Sequence, residues 1–93
     1  MAWQVFEVSA ATADELQKDD VVNRQSLTIK DGAAYGAKAA KVVLVEGSDA
    51  GIARAAELVK AQGGAPSPRA AEIHQAIKDE EAAAEGGVGF IFG

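Results

Sequence analysis

One stretch of the chain constrains the fold more than any other. Residues 41–60 read KVVLVEGSDAGIARAAELVK. The continuous apolar run from Val42 to Val45 predicts a central strand that is covered on both faces. Gly47 predicts a turn, and Ser48 is well placed to cap the amphipathic helix that follows. A buried strand joined directly to a helix therefore forms the middle of the fold.

Three further segments have the composition of strands or of apolar docking segments. Residues 3–9 are rich in aromatic and β-branched side chains, and residues 26–30 alternate between apolar and polar ones, which is typical of strands. Residues 88–92 are strongly apolar. We expect this last segment either to complete the sheet as an edge strand or to dock onto a partner.

Capping residues mark two more helices. Thr12 and Glu15 have the spacing of a capping box, which predicts a short helix over residues 13–18. Ser67 and Pro68 predict the start of a last helix that reaches about residue 84, because Ser caps helices well and Pro suits the first helical position. The chain therefore alternates strands with helices.

These elements predict one α+β domain over residues 1–87, followed by an apolar tail over residues 88–93. We expect a two-layer sandwich with a mostly antiparallel sheet of three or four strands. The helices over residues 49–62 and 68–84 each carry a single apolar stripe, so we expect both to pack on one face of the sheet. A ferredoxin-like or related split-βαβ arrangement is the leading topology.

Charge and composition argue against several classes of partner. The net charge is −5 and neither half of the chain is basic, which argues against nucleic acid and against an anionic membrane surface. The absence of cysteine excludes disulfides and thiolate metal sites. No segment approaches the roughly 18 apolar residues of a membrane span, and the N-terminus lacks the basic region of a secretory signal. We expect a small, acidic, soluble protein of the cytoplasm.

Few residues suggest chemistry. His74 is the single histidine, and no second imidazole accompanies it in a metal-binding pattern. The turn over residues 47–49 lacks the glycine spacing and the Lys of a phosphate-binding loop. The acidic residues of segment 79–85 have a helical pattern instead of the regular spacing of a calcium loop. The sequence therefore predicts no catalytic residue, no cofactor and no metal site, and the balance is against an enzyme.

Two sets of residues remain as candidate sites. Four polar side chains collect around one strand end, a place where functional groups often gather, and they form a candidate site for a small ligand: Thr28, Lys30, Asp31 and Tyr35. Four apolar side chains near the C-terminus would expose an apolar patch if they were left in water, and they form a candidate docking segment: Val88, Phe90, Ile91 and Phe92.

The sequence of residues 42–60 resembles the last strand and helix of KH-type RNA-binding domains, in which a strand that ends in a Gly turn leads into a helix of this pattern. KH domains bind RNA through a GxxG loop. The segment from Gly32 to Gly36 has one residue too many for that loop, so the resemblance supplies no binding residue. The chain as a whole also resembles small prokaryotic α+β proteins of unknown function, which implies no activity.

Three functions follow as hypotheses. The first is a non-catalytic protein-interaction module that binds a protein partner, or a second copy of itself, through the sheet edge or the C-terminal tail. The second is a divergent KH-like RNA-binding module. The third is a small-ligand-binding protein or enzyme with its site near residues 28–35.

Overall fold

The fold is a four-stranded antiparallel sheet with helices on both of its faces. The computed structural model describes the backbone of residues 2–92 and the side chains of residues 2–83. In chain order the elements are β1 (Ala2–Val8), α1 (Ala10–Lys18), β2 (Ser26–Asp31), β3 (Lys41–Gly47), α2 (Asp49–Ala61), β4 (Ala65–Pro66) and α3 (Ala70–Phe92). Short 3-10 turns at Val22–Arg24 and Gly32–Tyr35 flank β2.

The strands follow the order β2-β3-β1-β4, and every neighbouring pair is antiparallel. Two βαβ units are therefore interleaved, because β3 lies between β1 and β2 and β1 lies between β3 and β4. This is the order and direction of strands in a ferredoxin-like split-βαβ arrangement. The predicted α+β class and antiparallel sheet are confirmed. The fourth strand is β4, which has only two residues.

One face of the sheet packs against α1 and α2. Alternate residues of the two central strands point to this side and form one cluster with apolar residues of the helices. The buried members of that cluster include Phe6 and Val43 from the sheet, Leu16 from α1, and Ala55 and Val59 from α2. Each of these residues is at most about 1% exposed. Among the described residues this cluster has nine buried members and the one on the opposite face has five, so it is the larger half of the core.

The opposite face packs against α3. Val5, Val42 and Leu44 point to this side and form a second buried cluster with Ile73 and Ile77 of the helix. The prediction that the helices over 49–62 and 68–84 share one face is wrong. The continuous apolar run of β3 is the physical reason, because a strand that is apolar at every position needs a cover on each side. Helix α2 covers one side and α3 the other.

The first helix begins earlier than the capping-box pattern predicted. Ser9 is its N-cap, and its hydroxyl accepts a hydrogen bond from the backbone N–H of Thr12 at 3.1 Å. Thr12 itself is buried and its hydroxyl lies 3.0 Å from that of Ser9. Ser9 follows β1 directly, so the chain turns into the helix without an intervening loop.

Helix α3 is bounded by Ala70 and Phe92. Residues 88–92 are therefore helix instead of the predicted edge strand. The strand that lies beside β1 at the edge of the sheet is β4. The side chains of residues 84–92, and residue 93, lie outside the described part of the chain, and so does the predicted docking role of the C-terminal tail. No helix among the described residues has the length and the apolar character needed to cross a bilayer.

Candidate functional site

The four residues of the predicted ligand site lie around β2 but do not share one face of the sheet. Thr28 and Lys30 stand opposite Leu44 and Val42 in the antiparallel pairing, so they point to the face that α3 covers. Asp31 points to the other face, because successive residues of a strand alternate. Its carboxylate accepts a hydrogen bond from the ammonium of Lys41 at 2.6 Å.

Helix α3 brings two of the predicted residues together. The hydroxyl of Tyr35 donates to the carboxylate of Glu80 at 2.8 Å, and the ammonium of Lys30 lies 3.6 Å from the same carboxylate. Burial, followed by the hydrogen bond and charge of Glu80, raises the pKa of Tyr35 to about 12. The phenol therefore stays protonated at neutral pH, where it is a hydrogen-bond donor and not a base.

A second polar group joins α3 to the sheet, and the sequence did not indicate it. The rings of Trp3 and His74 stack with their centroids 3.9 Å apart and their planes 3° from parallel. Glu46, at the end of β3, accepts a hydrogen bond from Lys78 at 2.8 Å, and His74 Nε2 lies 4.0 Å from its other oxygen. The four-residue spacing of His74 and Lys78 was the available signal, since it places both on one face of a helix.

The start of α2, where the sequence predicts a helix cap and not a phosphate-binding loop, is occupied by protein atoms. The hydroxyl of Ser48 accepts from the N–H of Gly51 at 3.0 Å. The side-chain oxygen of Gln25 accepts from the N–H of Ser48 at 2.9 Å. The Gln25 amide is so close that a Cβ added at Gly47 or Gly51 would clash with it. This helix start is therefore capped and covered by Gln25.

The outer edge of β2 is the longest stretch of strand backbone that the sheet leaves without a neighbour in the part of the chain that the structure describes. The direction of its hydrogen bonds follows from one contact. The N–H of Gly32 donates to the carbonyl of Ala40 at 2.9 Å, and these residues continue the register in which Asp31 stands opposite Lys41. Gly32 and Ala40 are therefore a hydrogen-bonded pair, and the pairs alternate along an antiparallel ladder.

That alternation assigns each backbone group of β2 to one side. Ser26, Thr28 and Lys30 point their N–H and C=O groups inward to β3. The other three residues point theirs outward, away from the sheet: Leu27, Ile29 and Asp31.

The opposite edge of the sheet supports this assignment and differs from β2 in its chemistry. The N–H of Ser67 donates to the carbonyl of Val5 at 2.8 Å, so Val5 faces β4 and Phe6 faces β3. By the same alternation, Pro66 turns its nitrogen outward. A proline there presents no N–H to an approaching strand, which is one way that proteins protect a sheet edge.

An open groove runs beside β2 on the face that α1 and α2 cover. It has a volume of about 440 Å³, and Leu27 and Ile29 form its apolar floor. Gln17 and Asn23 stand along its wall. The side chains of Leu27 and Ile29 are only partly buried, although both pack against the larger core cluster. The groove and the outward backbone groups therefore belong to one continuous surface, which we call the β2 edge.

Comparison of the chain with protein-family models, with curated proteins and with solved structures gave no significant match.

The other polar clusters are occupied by contacts within the chain. In the described residues, each buried side-chain nitrogen or oxygen has a hydrogen-bond partner, and no three metal-binding side chains of these residues come together. Tyr35 lines a shallow cavity with Arg69 and Glu72, while the other three predicted ligand-site residues lie outside it. The β2 edge is thus the longest row of outward backbone groups that the sheet leaves without a strand neighbour in the described part of the chain.

Proposed function

We propose that the protein is a non-catalytic protein-interaction module that binds an extended segment of its partner along the β2 edge. In this mode an added strand forms main-chain hydrogen bonds with an exposed sheet edge, and side-chain contacts supply specificity. The observation that carries the proposal is the difference between the two edges. One ends in the two-residue strand with Pro66, and the other presents the whole of β2.

The side chains of β2 support the same proposal. An incoming strand would receive hydrogen bonds from the outward N–H groups of Leu27, Ile29 and Asp31. It would also cover the groove floor formed by Leu27 and Ile29, whose burial is favourable by about 25 cal/mol per Å² of apolar surface. Lys30 and Asp31 place two opposite charges near the end of the strand, and such charges restrict which segments can pair with it.

The experiment places a photo-activated cross-linking amino acid at position 28, on the strand but pointing to the α3 face, in cells that produce the protein. We expect covalent adducts with protein from this position. The same amino acid at Gln75, an exposed site on α3, is the control. Adducts at position 28 that are no more frequent than at position 75 would remove the proposal. Adducts that a ribonuclease destroys would support the RNA-binding alternative instead.

Proline substitutions distinguish the effect of losing an outward N–H on binding from the effect of losing an inward N–H on the stability of the fold. Ile29→Pro removes an outward N–H, so it should abolish the adducts while the far-ultraviolet circular dichroism stays that of the native fold. Thr28→Pro removes an inward N–H that bonds β3, so it should destabilise the fold by about 1–3 kcal/mol. Ile29→Ala is the matched control, because it shortens the same side chain and keeps the N–H. Equal destabilisation by the two prolines would contradict the assigned hydrogen-bond directions.

If Ile29→Pro does not fold, Asp31→Pro takes its place. Asp31 already has a φ of −70°, close to the value that proline imposes, and its side chain is 75% exposed. Asp31→Ala is its control, since both variants lose the contact with Lys41 and only the proline loses the N–H. Adducts that persist at full yield in Asp31→Pro, with the fold intact, would count against the edge as the binding surface.

A further inference from the structure

We propose that the partner of the β2 edge is a second copy of this chain, paired antiparallel through β2 with Thr28 on the two-fold axis. The inference rests on the proposed function and names the partner class. Two sheets would then join into one of eight strands, with an isologous contact in which the same residues of each copy face one another.

The directions of the backbone groups limit the registers that two β2 strands can use. Outward groups must face outward groups, and these belong to Leu27, Ile29 and Asp31. Each odd-numbered residue of one β2 strand must therefore stand opposite an odd-numbered residue of the other. The two residue numbers of every pair then add to an even number. This condition also keeps equivalent faces of the two sheets on the same side, because side chains alternate with period two. Two registers that meet this condition pair five residues of one β2 strand with five residues of the other.

Side-chain chemistry decides between these two registers. With Thr28 on the axis, Leu27 stands opposite Ile29 of the second copy, twice, and the two Thr28 side chains meet on the other face. With Ile29 on the axis, Leu27 would stand opposite Asp31 of the second copy, twice. Apolar pairs and Thr–Thr pairs stabilise antiparallel strands, while an apolar residue opposite a carboxylate does not. A further shift would place the two Lys30 ammonium groups opposite each other, which is destabilising.

Charge and burial favour the same arrangement. In the register with Thr28 on the axis, Lys30 stands opposite Ser26 of the second copy. The Lys30 ammonium, which lies 3.6 Å from Glu80 of its own chain, therefore has no like charge directly opposite it across the interface. On the opposite face, Leu27 and Ile29 line the groove of each copy. In the pair of copies these side chains form one apolar strip that joins the two grooves.

The lack of cysteine in the chain makes a disulfide test clean. Thr28→Cys should form a covalent dimer under mild oxidation. A non-hydrogen-bonded antiparallel pair has Cα atoms about 4.5 Å apart, within the range of a disulfide. Ser26→Cys and Lys30→Cys are the matched controls on the same strand and face. In the proposed register, each of these residues lies about 14 Å from the same residue of the second copy, given a rise of about 3.4 Å per residue. Each variant should therefore cross-link at least about tenfold more slowly than Thr28→Cys.

Mixing the two control proteins tests the register again. Ser26 stands opposite Lys30 of the second copy in the proposed register. The mixture of Ser26→Cys with Lys30→Cys should therefore give a disulfide-linked heterodimer of the two variants at a rate like that of Thr28→Cys. Faster cross-linking of Lys30→Cys alone, or of Ile29→Cys than of Thr28→Cys, would overturn the register. Native protein that has the mass of one chain in light scattering at the highest concentration, with no enhanced cross-linking at Thr28, would overturn self-pairing.

The two proposals fail separately. Photo-cross-links from position 28 to other proteins, together with no disulfide dimer of Thr28→Cys, would leave the interaction function standing and remove the second copy as partner. The absence of any adduct at position 28, either to another protein or to a second copy, would remove both.

Discussion

Tyr35 shows how a residue with reactive potential is held in a structural role. Its hydroxyl donates to Glu80 on α3, and its own carbonyl accepts a hydrogen bond from Arg69 at 2.9 Å. The residue thus ties the 3-10 turn after β2 to Glu80 of α3 and to Arg69, the residue just before that helix. Polar residues at a strand end suggested a ligand site, but spacing in the sequence cannot show that a distant helix supplies Glu80.

The pKa of Tyr35 gives a test at this scale. Because the pKa is raised from the ordinary 10.0 to about 12 in the folded chain, the absorbance of the phenolate should appear well above pH 10. Tyr35 is the single tyrosine, so the signal has one source. Glu80→Gln removes the charge of Glu80 and leaves burial, which is the largest cause, so the pKa should fall toward 10 without reaching it. Ionisation of the native protein near pH 10 would contradict the described contact.

The raised pKa of Tyr35 also makes the stability of the fold depend on pH. A group whose pKa is higher in the folded state than in the unfolded state stabilises the fold fully below the unfolded value. The contribution of Tyr35 should therefore be complete below pH 10 and should be lost as the pH rises from 10 toward 12. Urea unfolding across this interval should show a steeper loss of stability in the native protein than in Tyr35→Phe.

Among the helices, α3 is the one whose side of the sheet the sequence did not predict. Ile73 and Ile77 belong to the apolar stripe of this helix, and a stripe shows that a helix is buried on one side. It does not show which face of the sheet receives it. That choice follows from β3, whose run from Val42 to Val45 needs two covers and already has α2 on one side.

Removal of one anchor should weaken α3. Ile77 is fully buried, so Ile77→Ala should lower the free energy of unfolding by about 2–5 kcal/mol through lost burial and a cavity. Urea denaturation followed by circular dichroism measures the change. Gln75→Ala, on the exposed side of the same helix, should stay within about 0.5 kcal/mol of the native protein. Similar values for the two variants would mean that α3 does not depend on this contact.

A sequence pattern predicts three of the four strands but not the fourth. β1, β2 and β3 carry apolar and alternating patterns that predict strands. β4 consists of Ala65 and Pro66, which carry no strand pattern, and it exists because β1 offers it a partner. The direction of the outward groups on β2 depends on the register with β3, so only the folded structure can assign it.

For the whole molecule, self-pairing predicts that stability depends on protein concentration. A contact made only by folded chains stabilises them by mass action, and a hundredfold excess over the dissociation constant contributes about 2.7 kcal/mol. The midpoint of thermal unfolding should therefore rise with concentration in the native protein. Asp31→Ala, which keeps every outward N–H, should show the same rise, and Ile29→Pro should show none. A midpoint that stays constant in the native protein would contradict self-pairing.

The proline at the far edge of the sheet disfavours the addition of further copies. Pairing through β2 uses the same edge of both copies, and the two edges that remain each end in Ala65 and Pro66. Each of them offers a shorter run of strand than β2 does, because β4 has two residues beside Phe6 and Glu7 of β1 and Pro66 turns a nitrogen without hydrogen outward. Growth into a fibre would need a second, different edge that stays open. In the part of the chain that the structure describes, the short second edge therefore favours a pair of copies over a longer assembly.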